Sequence, residues 1–258
     1  MTPTRPTALI TGGSRGIGLE IAHALAGAGH RVVLAARDPV ALEAARQAMA
    51  TQGLEVRVIA ADLRDPDAPE RVAEAARAAF GTPVHVLVNN AGTAPTAKFE
   101  ATTDAILDET LDLHVRAPLA LIRAVLPAMR DRDEGCIVQL ASTAGLRAFP
   151  FTAAYTAAKH AMVGLTRVLA AELQNTGVRT CAVCPGFVDT DITRQAAAAI
   201  AARGRLTVAE ALQRMASQNR IGRMHAPAEV ASAVVQVVRD RPAGCVYELD
   251  HEPPRFLD

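Results

Sequence analysis

Seven short runs of β-forming residues, each separated from the next by a longer stretch with helical spacing, constrain this chain more than any other feature. They are Ala8 to Thr11, Arg31 to Ala36, Val56 to Ala61, Val84 to Asn89, Cys136 to Leu140, Val178 to Val183 and Cys245 to Leu249. Such alternation implies parallel strands joined by crossover helices, so the expected fold is α/β: a doubly wound parallel sheet of about seven strands with helices on both faces. The punctuation agrees. Asp38-Pro39 reads as an N-cap followed by a first helical residue, and Gly53, Gly81 and Gly177 stand where helices must stop before the next strand. No repeat or shift of composition divides the 258 residues, so a single domain over 1–258 is expected, with only residues 1–6 outside any element.

One region breaks the rhythm. Between Pro185 and Ala226 there is no strand signal, and two short helices are expected there. An insertion after the carboxyl end of a strand is where an open α/β sheet carries a lid over its ligand, so 187–225 is assigned as a substrate lid.

Charge decides which partners to consider. Lysines and arginines balance aspartates and glutamates at 27 each, which leaves no electrostatic footprint for nucleic acid or an anionic membrane. A small molecule fits better. The N-terminal segment lacks a cationic stretch followed by an apolar one, and no apolar run approaches the roughly 18 residues that span a bilayer, so a cytoplasmic location is expected. Of the four cysteines, Cys181 and Cys184 form a CxxC. It lies in a strand-like run where residues three apart face opposite sides, so small core residues are expected and no metal.

After the first strand, Thr11-Gly12-Gly13-Ser14-Arg15-Gly16-Ile17-Gly18 opens into a helix expected over Leu19 to Ala28. Glycines allow a tight turn and close backbone approach, and a helix N-terminus offers free amides and a positive dipole to a pyrophosphate. Many NAD-binding sheets end strand two in an acid that accepts from the adenosine ribose; here Ala36 is neutral and Arg37 cationic. This favours a 2′-phosphate, with Arg15 able to close on it, and therefore NADP(H) over NAD(H). Asp62 and Leu63 end the third run and Asn89-Asn90-Ala91-Gly92 the fourth, along the edge where a dinucleotide rests.

Tyr155-Thr156-Ala157-Ala158-Lys159 sets a phenol and an ammonium one helical turn apart, with Cβ atoms about 5–6 Å from each other. Acid–base work near neutrality asks for a tyrosine lowered by roughly three units from 10, about 4 kcal/mol, and a nearby ammonium acts in that direction. So does a helix N-terminus, if Thr152 caps this helix. Ser142 ends the fifth run and Cys184-Pro185-Gly186 follows the sixth, so three strand ends converge. A hydroxyl at Ser142 would hold a carbonyl oxygen while Tyr155 exchanges a proton with it.

Taken together, TGGSRGIG, NNAG, Ser142, YTAAK and CPGFVDT, in this order, resemble the short-chain dehydrogenase/reductase family over nearly the whole chain. The resemblance implies a Rossmann-type sheet and NAD(P)-linked interconversion of alcohols and carbonyls. It makes Tyr155 the proton donor and Ser142 the residue that positions the substrate. Lys159 would bind the nicotinamide ribose and lower the tyrosine pKa. Asn90 and its neighbours would support the coenzyme, Asp62 meet the adenine, Pro185 and Gly186 line the nicotinamide end, and Val188 and Thr190 contact the carboxamide. It also implies a homodimer or homotetramer through the helices around 105–130 and 152–175. Two departures stand out. His114 occupies a position where the family usually has an asparagine completing a proton relay, and Asp250-His251-Glu252 replaces the usual Asp-Gly-Gly at the tetramer contact. The resulting expectation is an NADPH-dependent ketoreductase with a pocket lined by Phe149, Phe151, Phe187 and the lid. The insertion resembles polyketide ketoreductases, so a 3-oxoacyl thioester or polyketide-like substrate leads. An oxidative secondary-alcohol dehydrogenase and a nucleotide-binding regulator without catalysis are the competing readings.

Overall fold

Thr7–Thr11 is buried along its whole length, which marks a strand covered on both faces (β1). The computed structural model describes residues 5–257 apart from 203, 205, 243 and 244, so parts of the assigned lid and the N-terminal residues 1–4 lie outside the described residues, as does Asp258. The other strands are Arg31–Ala36 (β2), Val56–Ala60 (β3), Val84–Asn89 (β4), Gly135–Leu140 (β5), Val178–Cys184 (β6), Val246–Glu248 (β7) and Arg255–Phe256 (β8). They form one sheet in the order β3-β2-β1-β4-β5-β6-β7-β8. Seven run parallel, and β8 folds back antiparallel on β7, pairing Tyr247 with Phe256. The expectation of about seven strands is thus corrected to eight among the described residues, because a two-residue edge strand following two prolines carries no pattern that a sequence reading detects.

Side chains alternate across the sheet as a pleat requires. Ala8 and Ile10 of β1, with Val32 and Leu34 of β2, face the helices Gly16–Gly27 (α1), Pro39–Ala50 (α2) and Pro227–Asp240 (α9) through Ile21, Leu25, Leu42, Val230 and Val234. Leu9, Val33 and Ala35 face the other side, where Ala68–Phe80 (α3), Ala117–Asp131 (α5) and the end of Ala153–Glu172 (α6) contribute Val72, Leu121, Val125, Met129 and Leu173. Truncating a fully buried leucine such as Leu9 or Leu34 to alanine would cost about 2–5 kcal/mol. Cys181 joins the first layer and Cys184 packs with Met162 and Val163 of α6, so the two thiols do point to opposite faces.

The punctuation residues behave as their chemistry dictates. Asp38 Oδ1 accepts from the backbone N–H groups of Val40 and Ala41 at 2.9 and 3.1 Å, and Gly81 ends α3 at a left-handed φ of 63°. The region without strands holds the two short helices Asp191–Ala201 (α7) and Val208–Ala216 (α8). Thr190 caps the first, Thr207 and Glu210 form a capping box on the second, and Ala197, Ala211 and Met215 pack between them.

The carboxyl terminus, which departs from the family pattern, is fastened to the exit of this region. Asp250 is fully buried, pairs with Arg147 at 2.8 Å and accepts from the Arg220 N–H at 3.1 Å, while Glu248 pairs with Arg220 and Arg255. Strand order reverses at the β1–β4 boundary, which opens a crevice above the carboxyl ends of these two strands.

Candidate active site

The crevice is floored by the glycine loop, and packing explains the glycines. A Cβ on Gly18 would stand 2.3 Å from the Gly12 carbonyl oxygen and 2.5 Å from Asn90 Nδ2, and Gly16 has a φ of 56°. Helix α1 begins at Gly16 and not at Leu19, three residues earlier than expected, so the loop is itself the first turn. That turn has no side-chain cap and no acid, which leaves its amides and positive dipole directed at whatever occupies the crevice. Asn90 Nδ2 donates to the carbonyls of Thr11 and Gly12, and Thr11 Oγ1 accepts from the N–H groups of Asn90 and Ala91. Asn90 therefore stabilises the loop's shape, with Thr11 as a partner that the sequence reading did not single out.

At the adenosine end, Ala36 offers no acceptor, and Arg15 and Arg37 line the cavity. The Asp62 carboxylate lies nearby, held by Arg64 through Nε at 3.1 Å and Nη2 at 2.6 Å. These hydrogen bonds from Arg64 keep its pKa below the usual carboxylate range.

At the other end, α6 delivers Tyr155 and Lys159 from its first two turns. A 3₁₀ turn over Thr143–Gly145 lies against this helix so tightly that a Cβ on Gly145 would be 2.7 Å from the Lys159 carbonyl oxygen. That contact sets Ser142, which begins the turn, beside Tyr155. Lys159 Nζ donates to the Leu140 carbonyl at 2.6 Å and lies 5.5 Å from the centroid of the Tyr155 ring. Thr152 precedes the helix, but its hydroxyl turns to Phe149 O and Thr156 Oγ1 and caps nothing.

Electrostatics here correct an expectation. Burial pushes Tyr155 up to about 12, with the Ser142 hydroxyl pulling only partly back, and burial brings Lys159 down to about 7. Desolvation dominates at both groups, and the Ser142 hydroxyl is what acts to lower the tyrosine. His114 sits on a π turn over Asp112–Arg116, with its ring edge-on to Tyr155 at 5.6 Å. Its Nε2 is engaged by the Thr93 backbone and its buried Nδ1 has no partner among the described residues. Burial, then the charge of Lys159, lowers it to about 3, so the imidazole is neutral.

The glycine loop, Arg15, Arg37, Asp62, Asn90, His114, Ser142, Tyr155 and Lys159 open onto one cavity of about 1530 Å³. Of the residues picked out from the sequence, Ser14, Ile17, Leu63, Gly92, Pro185, Gly186, Val188 and Thr190 also line it, as do Phe149, Phe151 and Phe187. Asn89 does not: its side chain is buried, with both polar atoms unpartnered among the described residues. Thr93 and Arg64 carry interactions that the sequence did not announce, since each depends on contacts a linear reading cannot place. The cradle suits a dinucleotide: a loop that tolerates no side chain at Gly18, an uncapped helix N-terminus, and a volume that leaves room for a second ligand.

Comparison with known proteins agrees with this geometry. The sequence model of the family described as short chain dehydrogenase matches residues 6–201. A relative from Streptomyces virginiae, whose name is that of a monensin polyketide synthase ketoacyl reductase, is 36% identical over 242 residues, covering 93% of this chain and 92% of its own. The D-beta-hydroxybutyrate dehydrogenase of Cupriavidus necator is 34% identical over 230 residues, 89% of each chain. Among solved structures, a variant actinorhodin polyketide ketoreductase with NADPH superposes with a TM-score of 0.87 at 33% identity, over 93% of this chain and 92% of that one.

Proposed function

Since the chain belongs to the short-chain dehydrogenase family, whose members are NAD(P)-dependent enzymes acting between CH–OH and C=O, we propose that it reduces a ketone to a secondary alcohol with NADPH. A 3-oxoacyl thioester or a polyketide-like ketone is the substrate class that this reading assigns. The observation that carries it is the convergence, in one cavity, of the glycine cradle, Arg37 and the pair Ser142 and Tyr155.

When bound, the coenzyme supplies a hydride to the carbonyl carbon. The chain's own residues do the rest. The Ser142 hydroxyl donates to the carbonyl oxygen, and Tyr155 transfers its proton to that oxygen as negative charge develops there. A phenol held near 12 is fully protonated at neutral pH and still a stronger acid than the alcohol it forms, so it is loaded for reduction. Lys159, fixed by the Leu140 carbonyl, would hold the ribose next to the nicotinamide, and its own titration near 7 lets it return a proton to Tyr155. His114 is placed as a neutral relay group through its free Nδ1. Pro185, Gly186, Val188 and Thr190 would bound the nicotinamide, and the lid over 187–225 would cover the substrate. Arg37, with Arg15, would hold the 2′-phosphate.

The similarity to a hydroxybutyrate dehydrogenase favours a second reading, oxidation of a small secondary alcohol at the same site. Among the described residues no helix is long and apolar enough to cross a membrane. Assembly into a homodimer or homotetramer is proposed through Asp104–Leu111 (α4), α5 and α6, of which the last two expose Leu119 and Val168.

Coenzyme absorbance, followed with a panel of ketones and alcohols in both directions, tests the reading. Ketone-dependent oxidation of NADPH with kcat/KM about 10- to 100-fold above that for NADH is expected, the range for one or two charged hydrogen bonds to phosphate. The double change Ala36→Asp with Arg37→Ala should reverse the preference. A wild type that favours NADH would contradict the coenzyme assignment.

A further inference from the structure

Two guanidinium groups, Arg37 and Arg64, stand near one carboxylate, Asp62, at the adenosine end of the cavity. The structure gives the carboxylate wholly to Arg64. Asp62 Oδ1 accepts from the Arg64 backbone N–H at 3.0 Å and from its Nε at 3.1 Å, and Oδ2 accepts from Nε at 3.2 Å and Nη2 at 2.6 Å. A backbone bond and a side-chain fork from the same residue fix the carboxylate's direction as well as its charge. Arg64 also reaches Glu109 at 4.0 Å, which steadies it from the far side.

Arg37, by contrast, makes no hydrogen bond or ion pair among the described residues, although it lines the same cavity as Asp62. It shares a small recess of about 100 Å³ with Arg64, Thr93, Pro95 and Glu109. Arg37 is near enough for its charge to be felt at Asp62, and after Arg64 it is the cation that acts on that carboxylate.

We propose that Arg64 is a positioning residue for coenzyme selection: by occupying both oxygens of Asp62 it keeps that carboxylate from Arg37, and so leaves the Arg37 guanidinium free for a 2′-phosphate. The inference rests on the reading above that the coenzyme is NADP(H). Without Arg64, Asp62 has Arg37 as its remaining cation. Pairing with it would divert the phosphate's partner and leave an uncompensated negative charge beside the phosphate. Both side chains of the Asp62–Arg64 pair are more than a third exposed, so solvent screens the effect and a moderate one is expected.

Adenosine 2′,5′-bisphosphate and 5′-AMP isolate the contribution of the 2′-phosphate without any turnover. Titration calorimetry of each into the full chain gives a ratio of dissociation constants, in which contacts to adenine cancel. In the wild type the bisphosphate should bind more tightly. Arg64→Leu should lower that preference by about 3- to 10-fold, the scale of one partly screened charge at such distances. Adding Asp62→Asn to Arg64→Leu should restore the preference, a rescue that a merely structural role for Arg64 does not predict. An unchanged ratio in Arg64→Leu would overturn the inference while leaving the NADP(H) reading intact. Failure of Asp62→Asn to rescue would overturn it too, since Arg64 would then act on the phosphate directly or through the fold. A wild type with no preference for the bisphosphate would overturn the coenzyme reading and this inference together.

Discussion

Replacing Lys159 by methionine should make the coenzyme-free protein more stable at pH 6 and remove a pH dependence that the wild type shows. The amine is buried, and its pKa falls from the ordinary 10.5 to about 7. At 1.36 kcal/mol per unit the protonated form is disfavoured in the folded state by about 5 kcal/mol, set against about 1 kcal/mol for the hydrogen bond to Leu140 O that methionine loses. The sign follows from proton counting. Below pH 7 both folded and unfolded chains carry the proton and the penalty is complete. Between 7 and 10.5 the unfolded chain binds more protons than the folded one, so stability rises with pH. From pH 6 to 9 the relief amounts to about 3 kcal/mol at 1.36 per unit. Above about pH 9 the buried thiols Cys136, Cys181 and Cys184, all raised by burial, reverse the trend, because they hold protons that the unfolded chain releases. Urea unfolding of wild type and Lys159→Met across pH 6–9 cancels the cysteine and histidine contributions in the difference. That difference should shift toward the wild type by about 2–3 kcal/mol over the range. Parallel profiles would refute the reasoning and show that Lys159 is charged or well solvated in the folded state.

Gly18→Ala should leave the protein folded but raise the dissociation constant for NADPH at least about 10-fold, because the new methyl meets Gly12 O and Asn90 Nδ2 and the loop must open to admit it; unchanged coenzyme binding by fluorescence titration would count against the cradle. His114→Asn should keep turnover within a few-fold of wild type whereas His114→Leu should lose about 10-fold or more with an unaltered circular dichroism spectrum, if the imidazole relays protons. Equal turnover in the two variants would reduce His114 to a buried packing group.

The strands and the cradle were legible because their signals are local. A run such as Ala8 to Thr11 is apolar until its β-branched last residue, and Asp38-Pro39 or Gly81 announces a helix boundary through its own backbone chemistry. What escaped depends on distance in the chain. Strand β8 exists because Tyr247 and Phe256 stack and Leu257 donates to Val246 O, contacts with no periodic trace. The start of α1 at Gly16 defies helix propensity because tertiary packing decides it. Asp250 pairs with Arg147 across 103 residues of sequence and accepts from the Arg220 N–H, so a C-terminus that read only as a departure from the family pattern turns out to fasten the region after α8. The raised pKa of Tyr155 escaped for the same reason: sequence shows an ammonium one turn away, but not the apolar surroundings that desolvate both groups.

Turnover of Tyr155→Phe with NADPH and any ketone that the wild type reduces tests the central claim most directly. The substitution keeps the ring and its edge contact with His114 and deletes only the hydroxyl that carries the proton. The account predicts a fall of at least about 100-fold in kcat, with NADPH binding retained. A variant that reduces the same ketone at a rate close to that of the wild type would contradict the assignment of Tyr155 as proton donor, and with it the mechanism built on this cavity.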